Sequence, residues 1–185
     1  MFKIKITNVF IILISIKIFI SSATYSAVDI AGYMKENLKE QSLTSYYMLV
    51  DPDKIIEYIR NKMINKYNEI LKKKYDLNTL VILAKKLQDY TNSNFADELY
   101  KEIEDAKLKD LKSLIILVTT DDKKINIFAT ETIKNIFSER VINKLIEKMQ
   151  PDIKPDDWFS NVFELLKRID ILHQQYNFKV NIEDL

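Results

Sequence analysis

Two short, uninterrupted apolar runs constrain the fold of this 185-residue chain more than any other feature. Thr79 to Ala84 and Leu114 to Thr120 are rich in branched aliphatic residues. Such runs are typical of strands that helices cover on both faces. Between them, an amphipathic pattern from Phe95 to Ile103 predicts a helix. Because a strand, a helix and a strand in that order form a right-handed crossover, the two strands are predicted to be parallel.

The residues after the second run predict a hairpin. Residues 121–123 are polar and follow the run directly, as turn residues do. Lys124 to Thr130 then alternates between apolar and other residues, which is the period of a strand with one buried face. We therefore expect this segment to pair antiparallel with Leu114 to Thr120.

A helix is predicted to begin at Asp51-Pro52-Asp53. Aspartate is a strong N-cap, and proline is pre-set for the first helical position. Apolar residues then recur at steps of three and four positions, which predicts one buried stripe. The residues of this stripe are Ile55, Ile56, Ile59, Met63, Tyr67, Ile70 and Leu71.

Two more helices and a tail complete the pattern. One helix is predicted from Ile133 to Met149 and is stopped by Pro151. The other opens at Pro155 and continues to Ile169. Residues 178–182 alternate between apolar and polar types, which predicts a short edge strand.

These elements predict an α/β fold: a three-layer α/β/α sandwich with a small mixed β-sheet. The α/β domain is predicted to span residues 50–170. A loose segment, residues 24–49 with a single helical turn, is expected before it, and residues 171–185 form a tail.

Residues 1–23 have the pattern of a secretory signal peptide. Two lysines precede an apolar run from Val9 to Ile20, and Ser21 and Ala23 have the small-x-small spacing of a cleavage site. We expect cleavage after Ala23 and a secreted, extracellular protein without a membrane span. Because Lys17 interrupts the run, an uncleaved anchor is the alternative.

Composition excludes several classes of function. The single glycine excludes phosphate-binding loops that need several, and the lack of cysteine excludes disulfides and thiolate sites. The single histidine, His173, excludes a His-pair metal motif and is predicted to face solvent. Without the leader, 25 basic residues stand against 27 acidic ones, a net charge of −2. This balance gives no electrostatic argument for binding nucleic acid or an anionic membrane.

Four aspartates are the candidate metal ligands. Asp51 and Asp53 lie at the predicted helix start, and Asp121 and Asp122 end a predicted strand, so the four could converge at one sheet edge. Ca²⁺ and Mg²⁺ bind several carboxylate and carbonyl oxygens. The alternative keeps Asp51 as an N-cap and the Asp121-Asp122 pair as a solvated turn, without a metal.

The order of these motifs resembles the TPM-domain family. The likeness rests on Val50 to Asp53, the strand Thr79 to Ala84, the helix Phe95 to Ile103, the segment Ser113 to Thr130, and the helix that follows it. The family includes thylakoid-lumen proteins described as acid phosphatases, photosystem II repair factors, and an animal branch typified by the nematode levamisole-receptor modulator. The Asp-Pro-Asp at the helix start is closer to the animal branch. The resemblance also implies a divalent metal near the acidic positions.

The chain departs from the family at three points. A glycine-containing turn usually follows the third strand, whereas Ala129 to Thr132 occupies that stretch here. Animal relatives often carry cysteines near the Asp-Pro-Asp and a C-terminal membrane span, and neither is present. The departures predict an altered loop and a secreted relative rather than a tethered subunit.

Two functions follow from the resemblance. The first is a non-enzymatic binding or accessory module, with a protein partner at the cell surface such as an acetylcholine-gated channel complex of the levamisole type. The second is a metal-dependent acid phosphatase. The missing glycines and the lack of an evident nucleophile favour the accessory module.

Overall fold

A computed structural model describes residues 24–37, 48–88, 93–102 and 112–183. The two predicted central strands are β3 (Asn78–Ala84) and β5 (Ser113–Thr119). They pair in parallel over seven positions, from Asn78 opposite Ser113 to Ala84 opposite Thr119. All residues of both strands are buried. The predicted parallel pair, covered on both faces, is therefore confirmed.

Two outer strands complete a mixed four-stranded sheet. β2 (Met48–Val50) pairs in parallel with β3, and β6 (Lys124–Ala129) pairs antiparallel with β5, as the hairpin pattern predicted. The strand order is β2-β3-β5-β6. A separate two-stranded sheet joins β1 (Thr24–Tyr25) to β4 (Lys86–Leu87).

Helices cover the sheet on both faces. One face carries α1 (Ala27–Asn37) and α3 (Ser93–Glu102), which pack on the side chains of alternate sheet residues. The other face carries α2 (Tyr58–Tyr75), α4 (Glu139–Met149) and α5 (Trp158–Glu183). The three-layer α/β/α prediction is correct. Helix α1 is longer than the single turn that was predicted for this segment.

The start of α2 differs from the prediction. The helix begins at Tyr58 rather than at Pro52, and residues 51–54 form a turn in which the Lys54 N–H donates to the Asp51 carbonyl at 3.2 Å. Lys54 has a φ of 53°, in the left-handed region. A right-handed helix cannot run through that conformation, so the N-cap role predicted for Asp51 is wrong.

Helix α2 also turns a different face to the core. Ile59, Met63 and Ile70 were predicted to be buried, but they are 73, 48 and 43 % exposed. The buried residues of the helix are Ile64, Asn68, Leu71 and Tyr75, and of these only Leu71 belongs to the predicted stripe. Asn68 is accommodated because its Oδ1 accepts a hydrogen bond from the Thr79 hydroxyl at 2.7 Å.

Two C-terminal predictions are also corrected. The helix predicted from Ile133 to Met149 is split into a 3₁₀ turn at Glu131–Ile133 and helix α4, which begins only at Glu139. The strand predicted over residues 178–182 lies within helix α5. A helix that is already nucleated gains one hydrogen bond for each residue added, so a weak alternation at its end does not stop it.

A cluster around Asp170 joins α2 to α5. The Asp170 carboxylate accepts hydrogen bonds from the Tyr67 hydroxyl at 3.1 Å, from Lys74 Nζ at 2.8 Å, and from the Tyr75 hydroxyl. Burial alone would raise the pKa of Asp170, but these bonds and one from Gln174 hold its pKa below the usual value. Burial and the nearby Asp170 carboxylate raise the pKa of Tyr67 to about 12. The carboxylate is thus a polar link between the two helices.

Replacing Asp170 should destabilise the fold. Asp170→Ala leaves the two tyrosine hydroxyls and Lys74 without their shared acceptor, and hydrogen bonds to a charged group contribute about 1.5–3 kcal/mol. We expect a loss of this size in the free energy of unfolding from urea denaturation. Glu164→Ala, on an exposed part of the same helix, is the control and should change it by less than about 0.5 kcal/mol. An equal loss in both variants would contradict the role of the cluster.

Candidate functional site

The candidate site lies where the carboxyl ends of the parallel strands meet. β2 ends at Val50 and β3 at Ala84, and the Thr120 N–H beyond β5 donates to the Ala84 carbonyl at 3.0 Å. In open α/β sheets, this edge is where ligands usually bind. Asp51, Asp53 and Asp121 follow these strands, so the topology brings the predicted acids to one edge.

Asp51 is buried at this edge and holds its own loop in place. Its Oδ1 accepts the Ile55 N–H at 2.9 Å, and its Oδ2 accepts the Ile56 N–H at 2.8 Å. Asp51 is only 4 % exposed. Burial raises the pKa of Asp51 despite these amide bonds, and the nearby Asp53 raises it further. Asp51 therefore satisfies buried backbone donors that would otherwise lack partners.

Asp53 joins three segments of the chain. Its Oδ2 accepts the Lys85 N–H, just beyond β3, at 2.7 Å, and its Oδ1 accepts the Tyr25 hydroxyl of β1 at 3.3 Å. Burial, followed by the charge of Asp53, raises the pKa of Tyr25. Asp53 thus links the loop after β2 to the end of β3 and to the small sheet.

Asp121 and Asp122 lie in the hairpin turn between β5 and β6. The Asp121 N–H donates to the Lys85 carbonyl at 3.2 Å, which places its backbone at the same edge. Its carboxylate lies 4.0 Å from Lys86 Nζ. Both aspartates are exposed, and Lys123 closes the turn with a φ of 54°. The structure therefore places these two residues in a solvated turn.

The four acids do not fit a shared cation as they are placed. Within the described ranges, no group of three or more histidine or acidic side chains is close enough to hold a metal ion. Asp51 and Asp53 also direct their oxygens at backbone and phenol donors rather than at a common point. The predicted Ca²⁺ or Mg²⁺ site at Asp51, Asp53, Asp121 and Asp122 stays a prediction.

His173 was predicted to face solvent, and that prediction is wrong. The residue is 4 % exposed, and its ring stacks on Tyr75 with centroids 4.0 Å apart and lies 6.2 Å from the Phe137 ring. Neither ring nitrogen has a hydrogen-bond partner among the described residues. Burial lowers the pKa of His173, with Lys112 and Lys74 lowering it and Asp170 raising it. His173 is thus a core residue that favours its neutral form.

The chain belongs to the TPM-domain family. The family model described as the TPM domain matches residues 49–170, from β2 through the first half of α5. This match covers the four-stranded sheet, the candidate edge and the Asp170 cluster. The resemblance noted in the sequence is confirmed at the level of the family.

A solved structure shares the fold. It is the solution NMR structure of the N-terminal domain of a protein from P. gingivalis, with a TM-score of 0.61 and 10% sequence identity. The match covers 80% of this chain and 93% of that one. At this identity the likeness concerns the fold alone. No curated protein matches the chain significantly.

The buried histidine predicts a pH-dependent stability. In the unfolded chain His173 takes up a proton near pH 6.5, whereas in the folded protein its lowered pKa resists this proton. The unfolded state therefore binds more protons below that pH, and stability should fall as the pH decreases through this value. We expect urea unfolding of the wild type to show this loss between about pH 7 and about pH 5.

His173→Phe keeps the aromatic contact with Tyr75 and removes the titrating group. Its unfolding free energy should change less with pH over the same interval than that of the wild type. If the two proteins lose stability in parallel, His173 is not the group responsible. The Asp170→Ala variant, in which His173 is unchanged, then tests whether the nearby carboxylate sets the pH dependence of stability.

Proposed function

We propose that this TPM domain is a non-enzymatic binding or accessory module. The observation that supports this proposal most is the use of the candidate acids. The carboxylates of Asp51 and Asp53 accept hydrogen bonds from the N–H groups of Ile55, Ile56 and Lys85. Side chains that hold backbone in this way stabilise the strand-end loops, which is a structural use that needs no catalysis.

The exposed surface of α2 also supports a binding role. The described residues include six large hydrophobic side chains that are well exposed, and four of these lie on α2: Tyr58, Ile59, Met63 and Ile70. Ile59, Met63 and Ile70 are separated by four and seven positions, so they form one line along the helix. Apolar side chains gathered on one surface are typical of contact sites for other molecules.

The charged residues beside this apolar surface are mostly basic. Lys62, Lys66 and Lys73 lie beside the apolar line, and the one acid among them, Glu69, is bound by Lys66 and Lys73. Hydrogen bonds from these two lysines lower the pKa of Glu69 to about 2. A partner with acidic residues around an apolar patch would therefore complement this face.

The proposed partner is a protein at the cell surface. On the family resemblance, it would be a ligand-gated acetylcholine receptor of the levamisole type. The proposed secretion rests on the leader pattern of residues 1–23, which lie outside the described residues. In the described parts of the chain, no helix has the length and apolar character needed to cross a bilayer.

The alternative function is a metal-dependent acid phosphatase. One observation favours it: the fold brings Lys85 and Lys86 to the same edge as Asp121, with Lys86 Nζ 4.0 Å from that carboxylate. A cation beside carboxylates is a combination that phosphate-handling sites use. This alternative requires the Asp51 and Asp53 carboxylates to bind an ion through lone pairs that the backbone and Tyr25 donors leave unused.

A phosphatase assay separates the two functions. We expect the purified protein to release no phosphate from an aryl phosphate above the uncatalysed rate, with or without millimolar Mg²⁺ or Ca²⁺. We also expect its melting temperature to be unchanged by either ion, because the acids already have partners. A ligand at 100 times its dissociation constant would instead stabilise the fold by about 2.7 kcal/mol.

The double variant Asp121→Asn/Asp122→Asn and the control Asp156→Asn, an exposed acid before α5, complete the experiment. Turnover that disappears in the double variant and persists in the control would overturn the accessory role and support the phosphatase. An ion-dependent rise in melting temperature with the same pattern would establish the predicted metal site.

A further inference from the structure

In the part of the chain that the structure describes, the outer edge of β6 is open. The register with β5 is continuous from Ala129 opposite Leu114 to Lys124 opposite Thr119, and the Thr130 N–H donates to the Ser113 carbonyl at 3.0 Å. Because bonding alternates along an antiparallel pair, the N–H and C=O groups of Ile125, Ile127 and Ala129 point away from β5. Among the residues that the structure describes, no strand pairs with these groups.

The opposite edge of the sheet is blocked. β2 has only three residues, and the Leu49 N–H donates to Asn65 Oδ1 of α2 at 2.6 Å. β6 has six residues, no proline and no bulge in its register. Proteins usually shorten, kink or cover an exposed edge strand, since a bare edge can pair with another chain. Within the described ranges, the β2 edge carries such protection and the β6 edge does not.

A groove of about 870 Å³ runs along the open edge of β6, with α3 on one side and α4 on the other. Its apolar lining includes Phe128, Ile142 and Ile146. The charged lining residues are Asp97, Glu131, Lys134 and Glu139. Lys134 is paired with Glu131, so the lining has an acidic excess. The occupant that fits is an extended strand with alternating apolar residues and cations near one end.

We infer that this occupant is β6 of a second copy of the chain, paired antiparallel about a two-fold axis at Ile127. That register places Ile125 opposite Ala129, Lys124 opposite Thr130, and Lys123 opposite Glu131. Residue 127 then pairs with itself, as a two-fold interface requires. β6 is itself extended, has apolar residues at alternate positions 125 and 127, begins with Lys124 and follows Lys123, so it has the chemistry that the groove selects.

Pairing of this kind satisfies the edge completely. The outward backbone groups of Ile125, Ile127 and Ala129 each find a partner in the other copy, and no β6 edge is left to recruit further chains. The lysines at the start of each β6 meet the acidic end of the other groove, so each dimer contains the charge contact twice. Opposite charges placed across paired strands stabilise the pairing.

Sedimentation equilibrium over a hundredfold range of protein concentration tests the inference. The wild type should be a dimer at the upper end. Lys123→Glu and Glu131→Lys, made singly, should each raise the dissociation constant about tenfold or more, because like charges then face each other across the axis. The double variant Lys123→Glu/Glu131→Lys should restore the dimer, since it exchanges the two signs.

Lys167→Glu on α5 is the matched control, because it makes the same charge change on an exposed lysine that belongs neither to β6 nor to the groove. It should leave the dissociation constant unchanged. Amide exchange at Ile125, Ile127 and Ala129 should slow as the dimer forms, while circular dichroism verifies that each variant is folded. A wild type that is monomeric throughout the range would overturn the inference. A dimer that neither single variant weakens would overturn it as well.

Discussion

The parallel pairing of β3 with β5 is the interaction on which the rest of the structure depends. Seven residues of each strand pair in register, and both strands are buried along their whole length. Their alternate side chains form the centres of two separate apolar clusters, one with α1 and α3, and one with α2, α4 and α5. The position of every helix, and of the candidate edge, follows from this pair.

Parallel pairing also explains why aspartates gather at one edge. The strands end side by side, so the loop after β2 must turn close to the end of β3. The Ile56 N–H is buried there and needs an acceptor, and the Ile55 N–H is partly buried. Asp51 accepts the two amides within its own loop, and Asp53 accepts the Lys85 amide across it. The acidic pattern that suggests a metal site therefore also has a purely structural use.

The strand pair, the hairpin and helix α3 could be predicted from the sequence. Each has a local pattern of apolar residues that is compatible with a single arrangement. Helix α2 could not, because it carries two apolar lines. Ile59, Met63 and Ile70 form one, and Ile64 and Leu71 form the other. The core selects the second line, since it brings Asn68 to Thr79 and Tyr75 to Asp170.

The burial of His173 could have been predicted from the sequence. The residue follows Ile169 by four positions and Leu166 by seven, which places it on the buried line of α5. The polar character of histidine suggested an exposed side chain, but the position of His173 on the helix places it in the core. The turn at residues 51–54 carried no such signal. Asp-Pro-Asp is an equally good start for a helix, and only the left-handed Lys54 excludes that outcome.

Hydrogen exchange at the amides of Ile55, Ile56 and Lys85, followed by NMR with and without millimolar Ca²⁺, tests most directly whether the edge acids serve the backbone. We predict slow exchange at all three amides in both conditions, and faster exchange at Lys85 when Asp53 is replaced by Ala. Exchange that accelerates at these amides when Ca²⁺ is added would show that the carboxylates leave the backbone for the ion, and would contradict the account.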